Sequence, residues 1–210
     1  MLKKLTPEKL DEILQVGIEE FAHLGLEKAN VNIIAKKAGV SIGVLYKYYP
    51  NKNEFFFACV KKALRKLDDL LTTELSMDNG PEENAEKLIR AAVEFSKEEP
   101  DTVILYHRIT CFEEAELAKK LVKEIEGKTA EYYRSIMEEY QKAGKIRDEI
   151  DAGYLAMLFD DILMMLQFSI ACQYYRYRQE LYTGQQTENN EEALIAAARA
   201  FVRQAFSINK

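Results

Sequence analysis

Residues 30–52 read NVNIIAKKAGVSIGVLYKYYPNK. This pattern predicts two short helices joined by a tight turn at Gly39, Val40 and Ser41, followed at once by the capped start of another helix. Gly39 suits the left-handed backbone conformation that lets the chain turn. A short helix after such a turn can lie in the major groove of DNA, which is wide enough to admit it. The stretch therefore indicates DNA recognition, and nothing in it is typical of a catalytic site.

Charge is distributed unevenly along the chain, whose formal net charge is −6. Residues 1–66 contain 12 Lys or Arg and 7 Asp or Glu, a net charge of +5. Residues 67–210 contain 17 and 28 of these, a net charge of −11. A basic amino-terminal part on an acidic body suits phosphate attraction by one end. A chance excess of charge on solvated helix faces would give the same counts.

Helical periodicity continues on both sides of this stretch, and no window alternates with the period of two that indicates a strand. Thr6 and Pro7 provide the cap and the first residue of a helix that should end at Gly25. Asn51 and Glu54 form a capping-box pattern that opens a connecting helix. The apolar spacing predicts five further helices, at about residues 81–98, 103–111, 117–144, 152–177 and 191–206. We therefore expect an all-α fold of nine helices.

Features of secreted and membrane proteins are few. The first 15 residues carry charge throughout, which argues against a secretory signal. Residues 155–172 are the most apolar segment, but Asp160, Asp161 and Gln167 interrupt it, so we do not expect a membrane span.

Features of metal-dependent or nucleophilic enzymes are also few. Cys59, Cys111 and Cys172 lie far apart and have no metal or redox spacing, so we expect reduced thiols in a cytoplasmic protein. The chain has two histidines, no clustered metal ligands, no phosphate-binding glycine loop and no nucleophile motif. We therefore expect no catalytic residues, no metal site and no cofactor.

The combination IA-x-x-AGVS-x-G-x-LY-x-x-Y-x-x-K in residues 34–52 resembles the DNA-binding signature of the TetR-type (TetR/AcrR) transcriptional regulators. It departs from the family at Asn30, where Thr is frequent, and at Tyr49, where Phe is frequent and whose hydroxyl would need a partner near the core. The resemblance implies a nine-helix fold with an amino-terminal three-helix DNA-binding domain at residues 1–52. A connecting helix at about residues 51–75 would lead into a ligand-binding and dimerisation domain at residues 67–210.

Each short helix offers candidate DNA contacts. Gly43 lacks a side chain and would let the recognition helix approach the DNA backbone closely. Tyr46 and Tyr48 place hydroxyl groups within reach of phosphates or base edges, with packing as the alternative. Lys52, together with free backbone N–H groups at the start of its helix, could hold a phosphate. The full candidate set is Asn30, Ser41, Ile42, Gly43, Val44, Tyr46, Lys47, Tyr48 and Lys52, of which Ile42, Val44 and Lys47 would read bases.

The body carries a pattern typical of a homodimer. The predicted helix at residues 152–177 is apolar on nearly every face, and one small chain can hardly cover it all round. The last helix carries a stripe of small residues with one aromatic, namely Ala193, Ala196, Ala197, Ala200 and Phe201. These two helices would form a four-helix bundle with their copies. A dimer would place two recognition helices about 34 Å apart and would read a palindromic operator.

An effector pocket in the body is suggested by plentiful aromatic and methionine side chains, which suit apolar pockets with a few polar anchors. At any one position the alternative is ordinary core packing. Asp160 and Asp161 could serve either a ligand or a salt bridge at the dimer interface, and His107 could anchor a polar group. The candidate ligand residues are Phe95, Tyr106, His107, Phe112, Tyr133, Met137, Met157, Asp161, Met165 and Phe168.

The resulting hypothesis is a ligand-responsive one-component transcriptional regulator. As a homodimer it would repress transcription by binding a palindromic operator in double-stranded DNA, and a small-molecule effector would release it; activation stays open. One alternative is a DNA-binding protein of the same fold that organises the chromosome without an effector, and another is an all-helical enzyme. We expect a cytoplasmic, nucleoid-associated bacterial protein without a membrane partner.

Overall fold

The computed structural model describes residues 5–73, 79–112, 115–186 and 190–207, and the regular secondary structure within these ranges is helical. The eleven helices of this part of the chain are α1 (Pro7–Lys28), α2 (Val31–Lys37), α3 (Ile42–Tyr48), α4 (Lys52–Thr73), α5 (Pro81–Glu98), α6 (Pro100–Ile109), α7 (Ala115–Ile125), α8 (Gly127–Lys142), α9 (Ala152–Ala171), α10 (Gln173–Thr183) and α11 (Glu191–Phe206). The all-α prediction is confirmed. The predicted end of the connecting helix, at residue 75, lies outside the described residues.

The predicted number of nine helices is wrong for the described part of the chain, because two long predicted helices are each divided. The helix expected at residues 117–144 is divided into α7 and α8 at Glu126, which precedes the poor helix former Gly127. The helix expected at residues 152–177 ends at Cys172, which adopts an extended conformation with φ −99° and ψ 122°. Arg176 Nη2 donates to the carbonyl of Ile170 at 2.8 Å. A side chain of the new helix α10 therefore provides a hydrogen-bond donor for a backbone carbonyl at the end of α9.

In the amino-terminal part, α1 packs against α2 and α4, and α3 packs against α2. Thr6 caps α1 as expected, by accepting the N–H of Lys9. Gly25 does not end α1; it interrupts the helix with φ 74° and ψ 170°, and one more turn follows to Lys28. At Gly17, α1 approaches α4 so closely that a side chain would collide with Cys59 and with Phe55.

The body is built around α9, which packs against α5, α6, α8 and α10 and more lightly against α11. By length and composition, α9 is also the one helix among the described residues that is apolar enough to cross a membrane. Its inward face carries Leu155, Phe159 and Leu163, which are buried in the body. Its outward face carries Tyr154 and Leu158, which are exposed in the single chain.

Candidate nucleic-acid interface and body cavities

The turn before α3 has the geometry that its residues predict. Gly39 has φ 66°, and the N–H of Val40 donates to the carbonyl of Ala35 at 2.9 Å, which closes the end of α2. Ser41 caps α3 by accepting the N–H of Val44 at 3.3 Å. Leu45 is fully buried and fixes α3 on the core. The opposite face of α3 is therefore held toward solvent.

Three predicted contact residues form this outer face. Tyr46 and Lys47 are exposed, and an ideal Cβ on Gly43 would have no heavy atom within 4 Å. Ile42 and Val44 are half-buried at its border, and Ile42 also packs against the core. The outer face of α3 is thus a short surface of polar and apolar side chains, with no side chain at Gly43.

The other predicted contact residues also support the domain itself. Asn30 caps α2 by accepting the N–H of Asn32 at 2.9 Å. Tyr48 Oη accepts the N–H of Leu5 at 2.7 Å, which ties the segment before α1 to α3. A tyrosine hydroxyl that accepts one hydrogen bond still has its own proton to donate. Tyr48 therefore combines a structural contact with a capacity for DNA contact.

The start of α4 is joined to the end of α1. Lys52 Nζ donates to the carbonyl of Glu27 at 2.9 Å, near the end of α1. Asn51 caps α4 by accepting the N–H of Glu54 at 2.9 Å, while the Glu54 carboxylate lies 3.7 Å from Lys120 Nζ. The ammonium of Lys52 has two further N–H groups, so this contact leaves it able to meet a phosphate.

Replacing Lys52 with Ala is expected to weaken binding to every DNA sequence and to lower the slope of log affinity against log salt concentration by about one. Fluorescence anisotropy over a salt series measures this slope. Lys145→Ala removes an exposed charge from the body and should leave the slope unchanged. An unchanged slope for Lys52→Ala would show that Lys52 contacts no phosphate and only holds the end of α1.

Tyr49, the departure from the family pattern, is half-buried with its ring 5.1 Å from that of Phe55. Burial raises the pKa of Tyr49, so the hydroxyl stays protonated.

A second connection between the DNA-binding end and the body runs through α6. Arg108 Nη2 donates to the carbonyl of His23 at 2.9 Å, and Arg108 Nε donates to the carbonyl of Ala22. Both carbonyls belong to the turn of α1 that precedes the interruption at Gly25. The body is therefore connected to helices α1–α3, which we term the recognition unit, through α6 as well as through the continuous helix α4.

An apolar space in the body, which we term the distal cavity, has a volume of about 260 Å³. It lies where α5 begins and α8 and α11 end. Tyr133 and Met137 are the two predicted ligand residues that line it. Its other lining side chains are mostly apolar and include Leu88, Ile136, Tyr140, Ile146, Phe159, Val202 and Phe206.

A smaller space of about 30 Å³, which we term the acidic cavity, lies beneath α4. Its polar lining consists of Asp68, Tyr106, Glu126, Thr129, Asp160 and Gln167. Tyr106 Oη donates to Glu126 Oε1 at 2.8 Å, and Thr129 Oγ1 donates to Asp68. Burial raises the pKa of Asp160 to about 7, and the neighbouring Glu126 and Asp161 carboxylates add to this effect. Burial also raises the pKa of Glu126.

Four predicted ligand residues line neither cavity and take part in packing elsewhere. His107 and Phe168 pack edge to face at 5.0 Å, and burial followed by the nearby Arg108 charge lowers the pKa of His107. Phe95 is buried, and the Phe112 ring lies 5.7 Å from that of Phe56. The core alternative fits these positions.

Met157, Asp161 and Met165 are exposed on the outward face of α9 and line neither of these two cavities. An apolar helix with no polar face does not reveal from its sequence which side faces the body. Asp160 and Asp161 therefore lie in different environments. Asp160 lines the acidic cavity, whereas Asp161 lies in a shallow groove on the outer surface, beside Phe201.

Sequence reasoning missed most of the acidic cavity. Asp160 and Gln167 did carry a signal, because polar residues inside so apolar a helix need a specific environment. Glu126 carried none, since it stands among other charged residues on an amphipathic segment. Its burial depends on the division between α7 and α8.

Comparisons with known proteins agree with this geometry. Residues 13–59 match the family model for bacterial regulatory proteins of the tetR family. The nucleoid occlusion factor SlmA of Haemophilus ducreyi is 27% identical over 159 residues, 74% of this chain and 79% of that protein. The probable acrEF/envCD operon repressor of Escherichia coli K12 is 27% identical over 169 residues, 76% of each chain. The fold matches that of Bacillus subtilis FadR in complex with stearoyl-CoA, with a TM-score of 0.72 and 15% identity over 91% of this chain and 98% of that one. The helix-turn-helix and the all-helical body together place this chain in the TetR family of bacterial transcriptional regulators.

Proposed function

We propose that the chain is a homodimeric, effector-responsive repressor that binds a palindromic operator. The observation that carries this proposal is the exposed outer face of α3, held by the buried Leu45 on an amino-terminal part of net charge +5. Residues 1–52 would form the DNA-binding domain, with α4 leading into a sensing and dimerisation domain from about residue 67. Ser41, Ile42, Gly43, Val44, Tyr46, Lys47 and Tyr48 would face the groove, with Asn30 and Lys52 at the backbone.

Uncovered apolar surface supports the dimer. Tyr154, Met157, Leu158 and Met165 on α9 are exposed, as is Phe201 on α11. The small residues beside Phe201 that suit close helix packing are exposed as well, namely Ala193, Ala196, Ala197 and Ala200. A contiguous apolar face of this kind on a water-facing surface marks an interaction site. A second copy would bury these faces of α9 and α11 in a four-helix bundle.

Effector control is supported by the two cavities and by the two connections to the recognition unit. The acidic cavity touches α4 through Leu67 and Asp68 and touches α6 through Tyr106. An effector that binds one arrangement of these helices better than the other would shift the spacing of the two recognition helices. The FadR of Bacillus subtilis, which shares the fold, has been crystallised with stearoyl-CoA.

Selection of bound DNA from a random pool tests the operator. We expect an inverted repeat whose half-site centres are one helical turn apart, because a two-fold dimer presents two copies of α3. Tyr46→Ala should lose on the order of 1–3 kcal/mol of binding to the selected sequence. Enrichment of a single, non-repeated half-site would contradict a dimeric reader.

Phe201→Glu is expected to convert the dimer to a monomer and to weaken binding to the inverted repeat, because it places a charge in the proposed bundle. Sedimentation equilibrium gives the mass, and anisotropy gives the affinity. Val122→Glu alters an equally exposed apolar side chain on α7 and should leave both unchanged. If the Phe201→Glu protein stays dimeric, α11 does not form part of the interface.

Chromosome organisation without an effector is the second candidate, because the relative from Haemophilus ducreyi is a nucleoid occlusion factor. Many dispersed genomic sites would favour this function, whereas one site beside a regulated gene favours a local repressor. A cytoplasmic, nucleoid-associated location fits both candidates. The described residues contain no group of three or more His, Cys, Asp or Glu side chains placed to hold a metal ion, so an enzymatic role gains no support from a metal site.

A further inference from the structure

The distal cavity has an apolar wall to which four helices contribute. Its apolar side chains are buried, namely Ala85 and Leu88 of α5, Ile136 and Met137 of α8, Phe159 of α9, and Val202 and Phe206 of α11. Water in such a space finds few hydrogen-bond partners, and an empty space leaves the wall without dispersion contacts. The wall therefore favours an apolar occupant.

The size and shape of the distal cavity define that occupant further. The volume of about 260 Å³ holds about eight or nine non-hydrogen atoms, at roughly 30 Å³ for each water-sized group. The wall includes both Tyr133 and Tyr140 of α8, which are about 10 Å apart along the helix axis. A space of this length and volume is narrow, so an unbranched alkyl chain suits it better than a ring system.

Polar groups within the wall are already paired with each other. Asn84 Nδ2 donates to Tyr140 Oη at 2.6 Å. The Tyr140 hydroxyl in turn donates to the backbone carbonyl of Asn79 at 3.3 Å. Recognition of a polar group on a ligand therefore falls to the charged residues that line the cavity at its exposed edge.

These charged residues are Glu82, Lys145 and Arg203, which we term the rim, and all three are exposed. Arg203 Nη1 lies 3.7 Å from Glu82 Oε1, so these two charges largely offset each other. The ammonium of Lys145 lies 5.7 Å from the centre of the Tyr140 ring and has no ion pair with a carboxylate of the described residues. The rim thus has a net positive charge and attracts an anion.

We propose that the distal cavity binds an aliphatic monocarboxylate of about eight carbons. Its alkyl chain lies among the buried side chains of α5, α8, α9 and α11. Its carboxylate lies at the rim, where Lys145 provides an unpaired ammonium and Arg203 provides further N–H donors.

The position of this site connects it to the proposed dimer face, and here the inference rests on the proposed function. Phe206 lines the distal cavity on one side and the outer groove that contains Phe201, Met165 and Leu158 on the other. A chain that displaces Phe206 therefore changes the surface that a second copy would cover. A ligand that favours one arrangement of the dimer would in this way alter the spacing of the two recognition helices.

Isothermal titration calorimetry on the full chain at neutral pH tests the site with octanoate as the probe. Butanoate should bind at least about tenfold more weakly, because four buried CH₂ groups are lost. Octan-1-ol should bind roughly tenfold more weakly because it has no charge for the rim, and octylammonium should not bind. Absence of octanoate binding, or equal binding of octan-1-ol or octylammonium, would overturn the proposal.

Rim variants test the place of the carboxylate. Lys145→Gln should weaken octanoate binding about fivefold, because an exposed ion pair is worth little, and should leave octan-1-ol binding unchanged. Lys142→Gln removes an exposed charge from the same end of α8 without lining the cavity, so it should leave both affinities unchanged. Equal effects of the two variants on octanoate would refute a carboxylate site at Lys145.

Cavity-filling variants test the place of the alkyl chain. Ala85→Leu puts a larger side chain into the space from α5, and Val202→Phe fills it from α11. Each folded variant should bind octanoate at least about tenfold more weakly, because the space for the chain is occupied. Thermal unfolding shows which variants are folded, and unchanged octanoate affinity in a folded one refutes the site.

Sedimentation equilibrium and anisotropy with the selected inverted repeat separate this inference from the proposed function. A shift in dimer dissociation together with a change in DNA affinity on adding octanoate supports both. Octanoate binding that changes neither supports the site and refutes its connection to the dimer face. A protein that binds no DNA refutes the proposed function, while calorimetry still decides whether the carboxylate site exists.

Discussion

Asp160→Asn is expected to stabilise the protein by a few kcal/mol at pH 8 and by much less at pH 5. Burial raises the pKa of Asp160 from 3.8 to about 7, with Glu126 and Asp161 as further causes. The folded protein therefore binds this proton more tightly than the unfolded chain does. Stability is highest when the group is protonated in both states, and it falls as the pH rises from about 4 through 7.

The magnitude follows from the pKa difference. A shift of about three pKa units corresponds to at most about 4 kcal/mol, and roughly 2–3 kcal/mol of this develops between pH 5 and pH 8. Asparagine has the same shape and carries no charge, so it removes this dependence. Urea unfolding at constant protein concentration and several pH values gives the free energy of unfolding.

The neighbouring residue provides the control. Asp161 is exposed on the outward face of α9 and is the smallest of the three causes of the raised Asp160 pKa, so Asp161→Asn should keep most of the pH dependence of the wild type. Parallel profiles for the wild type and Asp160→Asn would mean that Asp160 is not held in a desolvated environment.

Gly17→Ala is expected to destabilise the protein by about 2 kcal/mol or more, although alanine is the better helix former by about 1 kcal/mol. A Cβ at this position would lie 2.5 Å from Cys59 Sγ and 2.7 Å from Phe55 Cζ. Both side chains are fully buried, and the Phe55 ring packs against Phe21 at 5.7 Å. Because neither neighbour can move into open space, α1 must move away from α4. Thermal unfolding measures the loss.

Two further variants separate crowding from a general effect of alanine. Gly127→Ala adds the same methyl group at an exposed helix start with no heavy atom within 4 Å, so it should be neutral or stabilising. Cys59→Ala should restore part of the loss in the Gly17→Ala background, because it removes the nearer contact. Gly17→Ala with wild-type stability and DNA affinity would show that α1 and α4 tolerate a wider separation.

The recognition unit could be predicted in detail because its determinants are local. Gly39 supplies a turn, Ser41 supplies a cap and Leu45 supplies the buried anchor, all within a few residues. The helix divisions at Glu126 and Cys172 could not be predicted in the same way. At Cys172 the chain contains no proline or glycine, and the turn is accompanied by Tyr175 packing 5.3 Å from His107 and by Arg176 bonding to the end of α9.

The candidate ligand residues show the same limit. Composition correctly identified a body rich in aromatic and methionine side chains, but it could not assign the faces of α9. Met157 and Met165 therefore prove to be outward, while Phe168 is inward. The contact of Lys52 with Glu27 could not be predicted either, because it joins residues far apart in sequence.

The sequence alone determined the all-helical fold, the family and the outward-facing surface of α3, because caps, turns and helical periodicity act over a few residues. The tertiary structure decided which acidic residues face a buried cavity, which face of α9 is left uncovered, and how α6 holds α1 through Arg108. These features depend on contacts between distant segments, such as Arg108 with Ala22 and Asp160 with Glu126. Their energies arise from burial and charge proximity, which local sequence patterns do not contain.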